Sequence, residues 1–455
     1  MAEPRENKMG VMPVKKLIIT MSLPMMISML VQALYNVVDS MFVARLSEDA
    51  LTAVTLAFPM QNALISFAAG TGVGINALLS KSLGEKKFDR ADAAANNGLF
   101  LGGMTYILFL LIGLFGAAPF IGTQIRDPLV REYGATYLRI CLCLSFGAIF
   151  QITFERLLQS TGRTFYSMIS QATGAVINII FDPIMIFGMF GFPKLGVAGA
   201  AYATVLGQVI AALISCSLNL KKNEDIRISI PQILRPDPDV IKRIYFVGAP
   251  SILMMSIGSI MTYSMNQILG AFSKTATAVF GVYFKLQSFF FMPVFGLNGS
   301  IVPIIGYNFG AGKRKRLLKC VKLGIIYSEA LLFLGVLAFE FVPNLLLMIF
   351  APTEEMLKLG TIAFRIIGIH FPIAAVCIIL GTVFQALNHG MYSMWVSVAR
   401  QLLALLPAAF LLSLTGNVNM VWFAFPIAEL VSLVMTLIFF AQVYKKTIVN
   451  IPNNE

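Results

Sequence analysis

The chain has 455 residues, of which 58% are hydrophobic and only 12% are charged, and its mean hydropathy is +0.81. A water-soluble domain carries about 25% charged residues, so this composition excludes soluble secreted, disordered and DNA-binding proteins and is typical of a polytopic helical membrane protein. The net charge of +12 does not require a nucleic-acid partner, because cytoplasmic loops of membrane proteins are rich in Lys and Arg. The five cysteines have no CxxC or other metal-ligand spacing.

Apolar segments long enough to cross about 30 Å of hydrocarbon follow one another along the chain. We predict twelve transmembrane helices, which makes the protein all-α. They lie near residues 17–44, 51–79, 93–120, 132–154, 164–190, 196–219, 244–272, 276–309, 317–349, 357–387, 391–414 and 419–443.

The distribution of Lys and Arg predicts the orientation of these spans. If the N-terminus is inside the cell, 24 of the 34 Lys and Arg residues lie in inner segments and six lie in outer segments. Under the positive-inside rule, we therefore expect both termini to be cytoplasmic.

An internal repeat relates the two halves of the chain. The constant shift in numbering that aligns Pro24 with Pro250, called the repeat offset below, also aligns Gln61 with Gln287, Gly70 with Gly296, Gly84 with Gly310, and Tyr166-Ser167-Met168 with Tyr392-Ser393-Met394. We therefore divide the chain into a first half (1–219), a polar cytoplasmic linker (220–240) and a second half (241–455). Since each half has an even number of spans, the repeat predicts two parallel six-helix bundles, an arrangement typical of transporters that work by alternating access.

The halves differ in the charges inside their spans. Asp39 in span 1 and Asp182 in span 5 align with the apolar residues Met265 and Ala408 of the second half. A carboxylate in hydrocarbon costs about 2.5–3.5 kcal/mol on insertion scales, so it usually faces a cavity or a partner. Asn178 lies one turn before Asp182 and therefore on the same helix face.

The depth of these residues in their spans predicts that they meet in the outer part of the first half, together with Tyr137 of span 4 and Thr204 of span 6. Desolvation and mutual repulsion hinder the ionisation of paired carboxyls, so Asp39 and Asp182 could carry a proton. Alternatively, the oxygens of Asp39, Asn178, Asp182 and Thr204 could coordinate Na⁺, a hard cation. A structural interpretation is also open, in which Asp39 caps a helix end and Asp182 precedes a kink at Pro183.

The second half has charges of its own inside its spans, at Lys285, Arg400 and Glu429. Glu429 aligns with Gln208 of the first half when five residues are dropped from the loop between spans 5 and 6. Ion pairs Lys285–Glu429 and Arg400–Glu429 are both open, and so are a structural and a functional role for this network. No ATP-binding motif is present in the sequence, so the energy for transport would come from an ion gradient or from the substrate gradient.

Several of these features resemble the multidrug and toxic compound extrusion (MATE) transporters, in particular their prokaryotic MepA-like branch. The resemblance rests on the two six-span halves, on Pro24 and Asp39 in span 1, on NIIFDP (178–183) in span 5, and on YFKLQSFFFMPVFGLNGSIVPIIGYNFGAGK (283–313). It covers nearly the whole chain.

The resemblance implies an exporter in the plasma membrane of a prokaryote that exchanges H⁺ or Na⁺ for bulky amphipathic, often cationic, compounds. It implies an ion site at Asp39, Tyr137, Asn178, Asp182 and Thr204, a hinge at Pro24, and substrate contacts at Met25, Tyr35, Gln287 and Met292. We expect a monomer in the lipid bilayer, with no cofactor beyond the coupling ion, no metal site beyond Na⁺ and no nucleic-acid partner.

Two other classes of membrane protein are alternatives to this interpretation. A flippase for lipids or lipid-linked oligosaccharides would share the architecture but needs a basic chamber for phosphates, whereas most Lys and Arg here lie in loops. A membrane-embedded acyl- or glycosyltransferase needs a catalytic His, Asp or Glu near a membrane face. The two histidines have no such setting, so we expect a transporter and not an enzyme.

Overall fold

The computed structural model describes residues 7–350 and 352–452, with the side chain of residue 48 left aside, and all regular secondary structure in these ranges is helical. Ten helices are long and apolar enough to cross a membrane, and there are twelve spans when each of two bent helix pairs counts as one. Spans 1–6 are Val14–Leu46, Glu48–Gly84, Phe88–Gly122, Pro128–Cys143 with Phe146–Ser160, Thr164–Phe187 and Val197–Lys222. Spans 7–12 are Pro238–Gly270, Lys274–Gly310, Arg314–Phe341, Glu354–Gly368 with Phe371–Ala386, Gly390–Ser413 and Val418–Ile448. The predicted all-α fold with twelve transmembrane helices is thus confirmed.

The internal repeat extends to the residues that begin the helices. Ser47 and Ser273, which are related by the repeat offset, cap spans 2 and 8 by accepting hydrogen bonds from the backbone N–H of Ala50 and Ala276, both at 3.0 Å. Asp127 and Thr353, related by the same offset, cap spans 4 and 10 in the same way. A side-chain oxygen at this position satisfies an N–H group that the helix itself leaves without a partner. Spans 4 and 10 are also the two bent pairs, with bends of 44° and 47°.

Tight turns repeat at the same offset. Lys86 and Gly312 follow spans 2 and 8 with φ of 57° and 69°, and Gly162 and Asn388 follow spans 4 and 10 with φ of 83° and 63°. Gly and Asn adopt this left-handed backbone readily, whereas Lys86 does so against its preference. The two halves therefore share their turns as well as their helices.

The described residues pack as two compact units. Unit 1 contains those of Met1–Met26 and Leu253–Glu455, and unit 2 contains Ile27–Ile252. The two exchange points, after Met26 and after Ile252, are related by the repeat offset, and each follows a proline inside a continuous helix, Pro24 or Pro250. The packing units therefore differ from the halves of the sequence, because the beginning of each half's first span packs within the other unit.

Glycines explain how closely these exchanged segments pack. In unit 2, a Cβ at Gly70 of span 2 would lie 2.5 Å from the side chain of Ile252, and one at Gly74 would lie 2.1 Å from the carbonyl oxygen of Ile244. In unit 1, a Cβ at Gly296 would lie 2.7 Å from the backbone of Met26. Small residues let helix backbones approach each other in membranes, so Gly70 and Gly296 fix equivalent crossings in the two units.

The segment between spans 6 and 7 is fastened to span 3 within unit 2. Asp92 accepts a hydrogen bond from the backbone N–H of Arg227 at 2.7 Å, Asn96 from that of Ser229 at 2.9 Å, and Asn97 from that of Asp237 at 2.8 Å. Arg163 also forms an ion pair with Asp225 at 3.3 Å. These side chains satisfy the backbone of a segment that has only one short helix, Ile230–Ile233.

Candidate functional site

Unit 2 brings together two of the carboxyl groups inside its spans. Asp39 of span 1 and Asp182 of span 5 lie within hydrogen-bonding reach of each other, and Asp182 is fully buried. A hydrogen bond between two carboxyl groups requires a proton on one of them, because an ionised carboxylate can only accept. One oxygen of Asp39, Oδ1, is buried with no hydrogen-bond partner among the described residues. The pair is therefore arranged to share a proton or a cation.

Asn178 connects this pair to span 6. In the amide orientation that satisfies both ends of the side chain, Nδ2 donates to Oδ2 of Asp182 at 3.2 Å, and Oδ1 accepts from the hydroxyl and the backbone N–H of Thr204 at 3.3 and 3.2 Å. Helical spacing explains the first contact, since residues 178 and 182 are one turn apart on the same face. Asn178 thus holds the Asp182 carboxyl against the neighbouring helix.

Two tyrosines also lie near the carboxyl pair. Tyr137 of span 4 is buried within electrostatic range of Asp39, and its hydroxyl accepts a hydrogen bond from Nε2 of Gln61 at 3.5 Å. Tyr35, one turn before Asp39, is within range of both carboxyls. Tyr35 was predicted as a substrate contact, and it lies beside the carboxyls. Gln61 was not predicted as a site residue, because it matches Gln287 and so does not distinguish the two halves.

This donor set suits a proton or a small hard cation. Two carboxyl groups, an amide carbonyl and two kinds of hydroxyl supply oxygen atoms, the ligands that hard cations prefer. The described part of the chain contains no group of three or more His, Cys, Asp or Glu side chains that could hold a metal ion. All five residues of the predicted ion site lie around this carboxyl pair.

The predicted substrate contacts do not share one unit. Met25, Gln287 and Met292 belong to unit 1, whereas Tyr35 belongs to unit 2. Met25 is buried, and its backbone lies beside Gly296, so it packs within unit 1. Gln287 and Met292 are partly exposed on span 8. Pro24, the predicted hinge, lies inside the continuous helix of span 1, two residues before the exchange point.

In unit 1, one of the two open ion pairs is formed. Nη1 of Arg400 lies 3.3 Å from Oε2 of Glu429, whose side chain is only 3% exposed. Lys285 lies elsewhere, with its ammonium 5.9 Å from the centre of the Phe350 ring. Arg400 belongs to a π-helical segment, Ala399–Leu405, a geometry often found at functional sites. His370 is buried, and its Nδ1 contacts the carbonyl oxygen of Ile367 at 2.5 Å, which indicates a structural role.

A third buried carboxyl group in unit 2 was not predicted from the sequence. Glu155 of span 4 is 6% exposed and accepts hydrogen bonds from Gln151 and Ser170. The comparison of the two halves would have found it, because the repeat offset aligns Glu155 with Gly381. Glu155 and Arg156 directly follow the predicted end of span 4 at residue 154, where a charged pair is expected at the membrane surface.

The fold defines a duplicated twelve-span membrane transporter. The family model MatE matches residues 24–184 and 250–411, two segments whose first residues are related by the repeat offset and which together cover more than half of the chain. The chain therefore belongs to the MatE family, and within the MATE transporters to the MepA-like branch. Members of this family are transporters and not enzymes.

Relatives and solved structures agree with this assignment. The chain is 26% identical over 427 residues to a protein of Shewanella oneidensis named FAD transporter, with 92% of each chain covered. It is 26% identical over 409 residues to the multidrug export protein MepA of Staphylococcus haemolyticus, with 88% of each covered. A crystal structure of MATE in complex with MaL6 matches with a TM-score of 0.90 at 23% identity, covering 98% of this chain and 100% of that one. An outward-facing multidrug resistance MATE family transporter of the MOP superfamily matches with a TM-score of 0.91 at 22% identity, with coverage of 98% and 99%.

Proposed function

We propose that the protein is a secondary exporter that exchanges H⁺ or Na⁺ for bulky amphipathic, often cationic, compounds by alternating access. It would act as a monomer in the plasma membrane, with both termini cytoplasmic. The observation that carries this proposal is the pair of carboxyl groups of Asp39 and Asp182, which lie within hydrogen-bonding reach of each other in unit 2, with Asp182 buried and bonded by Asn178.

The pair supplies a physical basis for coupling. Two ionised carboxylates within hydrogen-bonding reach of each other repel strongly in a medium of low dielectric constant, so the site without a bound ion is high in free energy. A proton or Na⁺ relieves this repulsion. Export is coupled to the ion if occupancy changes the relative stability of the inward- and outward-open states, and if substrate binding changes it in the opposite sense.

The names of the relatives suggest which substrates to test. A MepA protein is named for multidrug export, which supports amphipathic drugs, and the Shewanella relative is named for FAD, which adds a flavin dinucleotide to the list of substrates. The two differ in charge, so they can be distinguished in a single assay with a cationic dye and with FAD.

The test measures ethidium accumulation in everted vesicles or proteoliposomes under an imposed pH gradient and, separately, under a Na⁺ gradient. We expect uptake to follow one of the two gradients. Asp39→Asn and Asp182→Asn should each lower gradient-driven uptake at least about a hundredfold, because a neutral amide cannot take up the ion. Glu132→Gln, which changes an exposed carboxylate on span 4, is the matched control and should transport normally.

Two outcomes would contradict the proposal. Gradient-driven export that persists in both Asp39→Asn and Asp182→Asn would remove the ion site from these residues. Folded wild-type protein that responds to neither gradient, with ethidium or with FAD, would exclude an ion-coupled exporter of either substrate class.

A further inference from the structure

Glu155 is a buried carboxyl group that forms no ion pair with any other residue in the described ranges. It lies in the second helix of span 4, Phe146–Ser160, and its Oε1 accepts hydrogen bonds from Nε2 of Gln151 at 3.1 Å and from the hydroxyl of Ser170 at 3.3 Å. Arg156 is the charged group that acts on it electrostatically, but its guanidinium bonds Gln159 at 2.9 Å instead. An isolated buried carboxylate is costly, so Glu155 requires a compensating positive partner.

The oxygen atoms around Glu155 outnumber the protons available to them. The hydroxyl of Ser170 lies 3.3 Å from Glu155 and 2.9 Å from the carbonyl oxygen of Ala211 in span 6. A serine hydroxyl has a single proton, so it can donate to only one of these two oxygens at a time. Either a proton on Glu155 or a cation among these oxygens would satisfy the whole group, as buried polar groups require.

This group lies at the end of unit 2 that carries the linker. Asn219, near the end of span 6, donates to the carbonyl oxygen of Phe154, and the Arg163–Asp225 ion pair follows at the same end. On span 5, Ser170 precedes Asp182 by twelve residues, which corresponds to about 18 Å along the helix. The Glu155 group and the Asp39–Asp182 pair are therefore separated along one helix.

Close helix packing keeps the two groups apart. Ser170, Gly174, Asn178 and Asp182 follow one another at four-residue intervals on a buried face of span 5. Between the two polar groups, a Cβ at Gly174 would lie 2.9 Å from the carbonyl oxygen of Gly207, and one at Gly207 would lie 2.6 Å from that of Gly174. The backbones touch there, so spans 5 and 6 leave no gap between the two groups at their crossing.

We propose that Glu155, Gln151, Ser170 and the carbonyl of Ala211 form a second site for a proton or Na⁺ in unit 2, on the linker side. The role of this second site in transport rests on the proposed function. The coupling ion would leave the protein from this site, or the site would sense whether the ion is bound. Its occupancy can be tested without transport, because it concerns only the chemical state of one carboxyl group.

The experiment records infrared difference spectra of the full-length protein in lipid during a pH titration, in the absence and in the presence of Na⁺. We expect a carbonyl stretch of a protonated carboxylic acid that disappears in Glu155→Gln and persists in Asp39→Asn and in Asp182→Asn. Glu132→Gln is the matched control and should leave this band in place. If added Na⁺ removes the band at fixed pH, the site takes Na⁺ as well as the proton, and if the band is insensitive to Na⁺, the site takes the proton alone.

A second variant keeps the inference testable if Glu155→Gln does not fold. Ser170→Ala retains the acid but removes its hydroxyl neighbour, so we expect the band to shift in frequency. A spectrum that neither Glu155→Gln nor Ser170→Ala changes, at any pH and with or without Na⁺, would overturn the second site.

Transport separates this inference from the proposed function. We expect Glu155→Gln to slow gradient-driven ethidium uptake about tenfold while ethidium binding in detergent stays unchanged, the scale expected for losing one charged hydrogen-bonded group. An unchanged rate would overturn the role of Glu155 in transport. Persistent uptake in both Asp39→Asn and Asp182→Asn would instead contradict the proposed ion site, and it would leave the infrared result on Glu155 intact.

Discussion

Spans 5 and 6 of unit 2 and spans 11 and 12 of unit 1 occupy equivalent places in the repeat, but different chemistry lies where they cross. In unit 2, Gly174 faces Gly207, with a Cβ on either one less than 3 Å from the backbone of the other helix. In unit 1, the position equivalent to Gly174 holds Arg400, which pairs with the buried Glu429. The helix around Arg400 widens into a π-helical segment, which the glycine side does not show.

The two units of this duplicated fold therefore share their helices but differ in their buried charged residues. Helix caps and turns recur at the repeat offset, so the two units share one helical framework. The buried charges do not recur: Asp39 and Asp182 have the apolar equivalents Met265 and Ala408, and Glu155 has Gly381. In unit 2, Asp39, Asp182 and Glu155 form no ion pair with a cationic side chain in the described ranges, whereas in unit 1 Arg400 neutralises Glu429. A mobile ion can replace a missing cation but competes poorly with a fixed arginine, which is why we propose that the coupling ion binds in unit 2.

Breaking the ion pair of unit 1 should give the largest change in stability. Arg400→Leu leaves Glu429 buried without its partner, and removing one member of a buried pair costs about 3–5 kcal/mol in the free energy of unfolding. The measurement is thermal or denaturant unfolding of the purified protein in detergent micelles. Arg365→Leu is the matched control, because Arg365 of span 10 is exposed and bonds a backbone carbonyl oxygen, that of Glu340 at 3.2 Å, so its loss should change stability little.

A double variant tests whether the pair serves stability or specificity. Arg400→Leu with Glu429→Leu removes both charges, so we expect it to recover most of the lost stability. If the double variant is as unstable as Arg400→Leu alone, the ion pair is not the reason for the loss, and packing around the π-helical segment is.

The glycine crossing of unit 2 should respond to an added methyl group. Gly207→Ala forces a Cβ against the carbonyl oxygen of Gly174, and overpacking of this kind costs about 1–3 kcal/mol. Unfolding in micelles measures the loss. Gly103→Ala in span 3 is the control, since nothing lies within 4 Å of its Cβ and alanine is the better helix former. Equal stability of the two variants would mean that spans 5 and 6 can separate without cost.

Much of this architecture follows from the sequence. Apolar length predicted the spans to within several residues, and depth in the membrane predicted that one region holds five polar residues, Asp39, Tyr137, Asn178, Asp182 and Thr204, which lie near one another in unit 2. Depth works because it needs only the rise per residue and the direction of each span. The same argument cannot choose between Lys285 and Arg400 as the partner of Glu429, because that choice depends on how each helix is rotated.

The sequence did not predict which helices pack against each other over long distances along the chain. Residues before Pro24 and before Pro250 join the opposite unit, yet spans 1 and 7 carry no periodic pattern that indicates which neighbours they meet. Glu155 was missed for another reason: a carboxylate beside an arginine near a span end looks like an interfacial pair. In the structure Arg156 bonds Gln159, so burial and hydrogen bonding, which require coordinates, set Glu155 apart.

The helix caps should test how equal the two units are. Ser47→Ala and Ser273→Ala each remove a side chain that accepts from the first turn of a long span, at a cost of about 1 kcal/mol. If the repeat preserves the role of the cap, the two variants should lose the same stability in micelles within experimental error. A loss confined to one variant would mean that the other unit holds its second span by packing alone.

The turns that follow spans 4 and 10 are equivalent in the repeat, but only the turn of unit 1 should respond to pH. In unit 2, Arg163 forms an ion pair with Asp225, whereas His389, the equivalent residue of unit 1, bonds the hydroxyl of Thr447 and stacks on Tyr392 at 5.5 Å. Burial lowers the pKa of His389, so the unfolded chain binds its proton more readily than the folded one. The histidine therefore contributes stability above its ordinary pKa of about 6.5 and loses it as the pH falls.

We expect this contribution to stay below about 1 kcal/mol, because the ring is only half-buried. The measurement is the change in melting temperature between about pH 7.5 and about pH 5.5. His389→Gln should reduce this change by the amount that His389 contributes. Arg163→Gln lowers stability by removing a charge that does not titrate in this range, so it should shift the whole curve and leave its slope unchanged. A slope that His389→Gln leaves unaltered would mean that the histidine keeps its neutral contacts at both pH values, and that the turn of unit 1 is as indifferent to protons as the turn of unit 2.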